Sequence, residues 1–284
     1  MRGDVTAAGT LYLVATPVGN LSDITLRAIE VLKEVDLIAC EDTRHTQKLL
    51  TYFNIGTETL SYHEHNEHER AAEILAKLKS GGRVAVVSDA GMPGICDPGY
   101  RVVALAVENG VSVVPVPGAS AVVLALAASG LPTDAFGFGG FLPSKSGARR
   151  EVLQGIVASA RTEMFYEAPH RVVEALEDLV EVLGGARRVV VARELTKLHE
   201  EFLRGSAAEV LAELRKRGDV KGEITLLIGK AEDEAIPAMS LGARMEQLMR
   251  EESLDEKAAL KKVAKEFGLG KSEAYRRWQR GKQG

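Results

Sequence analysis

Apolar and polar positions follow two rhythms along this chain. The runs LYLVAT (11–16), DLIACE (36–41), RVAVVSD (83–89) and VSVVPV (111–116) are short, aliphatic and β-branched, and predict buried strands. Helical spacing fills the gaps. In 22–35, Ile24, Ala28, Val31, Leu32 and Val35 share one face and predict an amphipathic helix. Helices are also expected at 43–53, at 70–81 with a glycine stop, at 100–109, and at 119–130, an apolar helix ending on Gly130. Strand–helix alternation of this kind predicts a mostly parallel sheet with helices on both faces.

The rhythm breaks at GLPTDAFGFGGFLPSK (130–145), which has no clear period and reads as a linker. It then resumes, with strands at 162–168, 187–196 and 222–231 and helices at 170–184 and 206–218. The pattern therefore predicts an α/β domain over 10–130, a second α/β domain over 131–231 and a helical segment over 237–284. In that last segment LKKVAKEFGLGKSEAYRRW (260–278) has helix–turn–helix spacing through Ala264, Gly268 and Ala274. Val263, Phe267 and Leu269 would fill its corner, and Ser272 lies near the second helix start.

Composition alters this picture in two respects. Among 284 residues, 45% hydrophobic and 27% charged, no apolar run reaches about 18 residues, so no transmembrane helix is expected. The start, MRGDVTAAGT, lacks the apolar core of a signal peptide and reads as a loose arm. Cys40 and Cys96 are far apart, which points to neither a disulfide framework nor zinc, and to a reducing, cytoplasmic setting. The net charge of −4 hides an asymmetry, with +7 over 257–284 and −11 over the rest. A basic tail on an acidic body points to an anionic partner, the plain alternative being a solvated helix face.

Three turns carry the candidate chemistry. TPVGNLSD (16–23), SDAGMPGICDPG (88–99) and VPVPGASA (114–121) each follow a predicted strand, where open α/β sheets bind ligands. In the second, Gly91, Gly94 and Gly99 allow close backbone approach, while Asp89 and Asp97 offer acceptors. Neither GxGxxG nor GxxxxGK[ST] occurs. EDTRHT (41–46) and SYHEHNEHE (61–69) place Arg44 and His63, His65 and His68 in loops without metal-ligand spacing. FLPSKSGARR (141–150), YEAPHR (166–171) and ARELTKLHEE (192–201) set charges at strand ends, for phosphate binding or for buried ion pairs.

Together these motifs resemble a family of small-subunit ribosomal RNA methyltransferases, ribose 2′-O-methyltransferases of a decoding-centre cytidine. That family lies within the tetrapyrrole methylase superfamily, whose better-known members methylate corrin precursors. The resemblance covers about 11–231, with the tail also similar. It implies S-adenosylmethionine held in a cleft between two α/β domains of the tetrapyrrole methylase type, small-subunit ribosomal RNA as partner and a homodimer; the helical segment read above adds a small C-terminal domain, and the histidine spacing points to no metal.

The superfamily's first loop is typically GPGD. Here it is TPVGN, with Asn20 in place of the acid. SDAG (88–91) stands for its GDP-type loop, with Ala90 where proline is common, and PGAS (117–120) for the loop on the methionine part of the cofactor. These departures count against a tetrapyrrole substrate.

Cofactor contacts are expected from Pro17, Asp89, Ala90, Gly91, Ile95, Ser120, Ala121, Tyr166 and Glu223. RNA contacts are expected from Arg44, His63, Arg149, Arg171, Lys271, Arg276 and Arg277. A ribose hydroxyl is a poor nucleophile, so a base or a nearby cation should assist it. The candidates are Lys145, Glu167, His170, Arg193, Glu194 and Lys197. A tetrapyrrole methyltransferase, or a non-catalytic ribosome assembly factor that retains the pocket, would carry many of the same features.

Overall fold

A computed structural model of the protein describes residues 9–231, 241–252, 254–267 and 269–282. The arm expected at the start, the first residues of the expected helical segment (237–240) and Gly268 lie outside these. Residues 1–230 form one compact unit and 231–284 another.

The first unit opens with β1 (Thr10–Val14), α1 (Leu26–Glu34), β2 (Leu37–Cys40), α2 (Thr43–Tyr52), β3 (Thr59–Ser61), α3 (Glu67–Lys79), β4 (Arg83–Val87), α4 (Tyr100–Glu108), β5 (Ser112–Val116) and α5 (Ala121–Ser129). Its five strands form one parallel sheet in the order β3-β2-β4-β1-β5. Strand alternation sorts the core into two faces. Val84 and Val86 of β4 pack with Leu11, Ile74, Leu78 and Val102 on one side; Ala85 and Val87 pack with Val14, Leu32, Ile38 and Leu50 on the other.

The helix expected over 22–35 is two elements. Asn20 accepts a hydrogen bond from the Ser22 N–H and caps a short 3₁₀ turn at 21–23; Ile24 and Thr25 are extended. The Thr25 hydroxyl then accepts from the Ala28 N–H (3.1 Å) and starts the true helix at Leu26.

The chain continues through β6 (Phe136–Phe141), α6 (Ser146–Gly155), β7 (Thr162–Glu167), α7 (Val172–Leu183), β8 (Arg188–Arg193), β9 (Glu201–Ser206), α8 (Ala207–Arg217) and β10 (Ile224–Ile228). These strands make a mixed sheet in the order β6-β7-β10-β8-β9, with only β6–β7 parallel. One face carries Phe165, Leu176, Leu179, Val189, Val191, Leu211 and Leu226. The other is covered by α5, whose Val122, Ala125 and Leu126 pack on Met164, Val190, Ala192 and Leu227. An all-apolar helix suits that place. It precedes the boundary expected at 130 yet completes the core of the second sheet.

Three strands depart from the expected pattern. β6 lies within the stretch read as a linker. Its Gly139 rests on the Phe165 ring, where a Cβ would overlap, so the glycines let the edge strand settle there. β3 and β9 are short edge strands with mixed polarity and no buried run.

The second unit holds α9 (Leu241–Glu251), α10 (Glu256–Glu266) and α11 (Lys271–Lys282). Val263, Ala264, Ala274 and Trp278 are buried with Leu241, Met245 and Leu248, with Phe267 and Leu269 partly buried against them. Asp255 caps α10 by accepting from the Ala258 N–H (2.7 Å). No helix among the described residues is long and apolar enough to cross a membrane.

Candidate active site

The three turns after β1, β4 and β5 converge. Thr16 and Gly91 exchange backbone hydrogen bonds at 2.9 and 3.1 Å, and the Thr16 hydroxyl donates to the Ser88 carbonyl (3.0 Å). Gly118 sits against Ala15, where a Cβ would lie 2.8 Å from its methyl. The loop after β4 closes on itself. The Gly94 N–H donates to the Pro98 carbonyl (3.2 Å), and Gly99, at φ 149°, packs on Gly94. Between them Cys96 takes a left-handed conformation, φ 66°.

These turns form one wall of a cavity of about 390 Å³, lined by Val18, Ala90, Gly91, Met92, Ile95, Cys96, Asp97, Ser120 and Ala121. The second sheet supplies the other wall: Phe141, Tyr166, Glu167, Ala168, Pro169, Ala192, Leu195, Glu223, Ile224 and Thr225. The volume falls in the range that holds a small ligand. Apolar and aromatic side chains dominate, with three carboxylates, Asp97, Glu167 and Glu223, among them.

Each carboxylate has its own surroundings. Glu167 is fully buried. Its Oε1 accepts from the Ala168 N–H (2.7 Å) and pairs with Arg171 (2.7 Å), while its buried Oε2 has no partner. Glu223 pairs with Lys197 (3.1 Å), which also binds Glu194 (2.8 Å). Burial alone would lower the Lys197 pKa, but its hydrogen bonds to Glu194 and Glu223 raise it; the same bond to Lys197 holds Glu194 below its usual range. Asp97 forms no ion pair among the described residues. Burial pushes its pKa up, and Asp89 adds to the rise, against an opposing effect of the Ser88 hydroxyl. Tyr166, half-buried and facing Cys96, Asp97 and Glu223, is pushed up to about 12, chiefly by burial, and keeps its proton.

Of the expected cofactor contacts, the cavity gathers Ala90, Gly91, Ile95, Ser120, Ala121, Tyr166 and Glu223. Pro17 and Asp89 do not line it. Asp89 instead accepts from the Asp42 N–H (3.3 Å), tying two loops together.

Among the catalytic candidates only Glu167 lines the cavity. Arg193 pairs with Glu201 (3.2 Å), Glu194 with Lys197, while His170 is exposed on the 3₁₀ turn at 169–171 and Lys145 is exposed at the start of α6. The strand-end charges are therefore mostly ion pairs, the plainer of the two expectations. A raised pKa disqualifies Lys197 as a proton acceptor.

The RNA-contact expectation needs correcting at two arginines. Arg149 is 1% exposed and bound to Asp178 (2.6 Å), so it is core structure; Arg171 is committed to Glu167. Arg44 is largely exposed and paired with Asp42, and the His63 backbone N–H donates to the side-chain carbonyl of Asn66 (2.8 Å). Arg276 and Arg277 are exposed on α11, paired with Glu273. The side chain of Lys271 lies outside the described residues. Sequence reasoning did not assign Phe141, Ala192, Leu195 and Ile224, because apolar residues at or near strand ends look like core, nor Thr225, which is buried within the apolar run of β10.

A family model for tetrapyrrole (corrin/porphyrin) methylases matches residues 10–211. The chain belongs to the tetrapyrrole methylase family. Within it, the chain is 48% identical over 270 residues to the ribosomal RNA small subunit methyltransferase I of Synechocystis sp., covering 94% of this chain and 96% of that one. The protein of the same name from Escherichia coli O157:H7 is 48% identical over 271 residues, 94% of each chain. Among solved structures, uroporphyrin-III C-methyl transferase from Thermus thermophilus complexed with S-adenyl homocysteine shares the fold, with a TM-score of 0.54 at 22% identity over 78% of this chain and 98% of that one.

Proposed function

We propose that this protein methylates small-subunit ribosomal RNA, transferring the methyl group of S-adenosylmethionine to the ribose 2′-hydroxyl of a cytidine in the decoding centre. The observation that carries this reading is near-full-length identity of 48% to proteins named ribosomal RNA small subunit methyltransferase I. The cavity supports the donor. S-adenosylmethionine is a cationic, partly aromatic molecule, and the cavity combines apolar walls at Ala192, Leu195 and Ile224 with Glu223 and the unpartnered Glu167 Oε2. A buried acceptor without a donor is costly, and a ligand hydroxyl or amine would satisfy it. When bound, the sulfonium supplies an electrophilic methyl group. This chain's part is to hold donor and acceptor in line and to exclude water.

Glu223, with Lys197 fixing its carboxylate, and Ser120 and Ala121 at the third turn are assigned to the donor. Arg44, His63 and the exposed arginines of α11, Arg276 and Arg277, are assigned to RNA. The protein is read as a cytoplasmic homodimer, which the exposed Val123 and Leu124 of the apolar helix α5 support.

Incubation with radiolabelled S-adenosylmethionine and small subunits from a deletion strain should place label on one ribose. Label on a base, on a tetrapyrrole without RNA, or no label with RNA still bound would each replace this reading with another. Light scattering at twice the chain mass would support the dimer, and a monomer would remove it.

A further inference from the structure

We propose that Asp97 is the general base of this methyl transfer, its carboxylate taking the proton of the acceptor hydroxyl. The inference rests on the methyltransferase reading above and assigns a role to a residue of the same cavity.

Three observations single it out. Asp97 is the one cavity carboxylate with no cationic partner among the described residues; Glu167 is held by Arg171 and Glu223 by Lys197. It is also reachable. Asp97 is partly exposed, whereas the Glu167 side chain is fully buried, so a macromolecular acceptor entering at the mouth meets Asp97 and not Glu167.

The backbone aims it. The Gly94–Pro98 hydrogen bond and the packing of Gly99 on Gly94 pinch the loop shut. The left-handed turn at Cys96, φ 66°, then leaves Ile95, Cys96 and Asp97 together on the cavity wall. A non-glycine residue held in that region is locally strained, a feature that clusters at functional sites.

The groups facing Asp97 make it a suitable base. Ser88, Asp89 and Cys96 adjoin it in its own loop, Glu41 approaches from the end of β2, and Tyr166 faces it from β7. None is a cation. Cys96 and Tyr166 both have raised pKa values and stay neutral at physiological pH. Burial first, then Asp89, raises the Asp97 pKa, bringing it toward working pH, where a carboxylate base is most effective.

The step balances. The acceptor oxygen forms the new O–C bond as the C–S bond breaks, with its electron pair left on sulfur as a neutral thioether. The hydroxyl proton passes to Asp97 and then to water. Protonated Asp97 cannot accept it, so kcat falls as pH drops through the Asp97 pKa, higher than for an ordinary aspartate.

The test uses the full chain and small subunits lacking the modification. Asp97→Asn should lower kcat by roughly 100-fold or more, the range for lost general base catalysis. Its S-adenosylhomocysteine affinity by calorimetry should stay within about threefold, which also shows that the variant folds. Asp97→Glu should recover part of the rate, and the acid limb of the kcat profile should vanish in the residual Asp97→Asn activity. Carbon NMR of labelled aspartate in the wild-type protein should show one carboxyl, absent in Asp97→Asn, titrating above the others.

A wild type that labels ribose while Asp97→Asn keeps its kcat or its acid limb overturns the proposal alone. So does an S-adenosylhomocysteine affinity that falls in step with kcat, or a carboxyl that titrates with the others. A wild type that labels no ribose overturns the methyltransferase reading and the proposal with it.

Discussion

Replacing Arg149 by alanine should destabilise the protein without touching the cavity. The guanidinium donates to Asp178 from Nε (2.7 Å) and from its terminal nitrogen (2.6 Å), and to the Pro143 and Ser144 carbonyls at 3.4 and 3.3 Å. Removing one partner of a buried ion pair costs about 3–5 kcal/mol. Asp178 would keep Arg150 (2.7 Å) and Ser146 (2.9 Å), which places the loss near the lower end, about 3 kcal/mol. At about 2–4 °C per kcal/mol for a chain of this size, Tm should fall by roughly 6–12 °C.

The pH dependence has a definite sign. Burial alone would raise the Asp178 pKa, but hydrogen bonds from Arg150, Ser146 and Arg149 hold it below the usual range. A folded pKa below the unfolded one gives stability that is complete above about pH 4 and is lost as pH falls through the folded value. The gap between variant and wild type should therefore narrow in acid. Differential scanning calorimetry at pH 7 and pH 3.5, with calorimetric S-adenosylhomocysteine binding as a control, reads all of this. An unchanged Tm together with weakened RNA binding would refute the structural role and return Arg149 to the RNA surface.

Two other substitutions probe the cavity walls. Glu167→Gln turns an acceptor into an amide at a buried position; S-adenosylhomocysteine should bind about 10- to 100-fold more weakly, as for a lost hydrogen bond to a charged group, and a Kd within threefold by calorimetry would remove Glu167 from the donor site. Gly19→Ala places a Cβ about 2.8 Å from the Leu195 carbonyl and against Lys197, so the loop that fixes Glu223 must shift; kcat/KM should fall at least tenfold with a loss of about 1–3 kcal/mol in urea unfolding, and wild-type behaviour in both would show that the two loops yield freely.

The middle of the first sheet was legible because β2 and β4 are buried on both faces and read as unbroken apolar runs, as β4 does at Val84–Val87. The edges were not. Glu201–Ser206 and Phe136–Phe141 are partly exposed and carry charge or glycine, so nothing local separates them from loops. The site divides in the same way. Gly/Pro turns after strands announce one wall from sequence, but on the other wall Ala192 and Thr225 meet only through the antiparallel pairing of β8 with β10, which no local pattern encodes. Charge had the opposite failing. Arg149, Arg171 and Lys197 look available in the sequence, and only the fold reveals the carboxylates that already hold them.

Helix α5 leaves the third turn, which lines the cavity at Ser120 and Ala121, and at once buries Val122, Ala125 and Leu126 in the second sheet. It works as a tie-rod. Pulling the walls apart would strip those side chains from their core, at about 1.5–3 kcal/mol for each larger aliphatic one. The jaws of this cavity are thus pre-set at a fixed gauge. A frame set in this way leaves the mouth, and the loops at its rim, as the route by which one donor molecule can replace another.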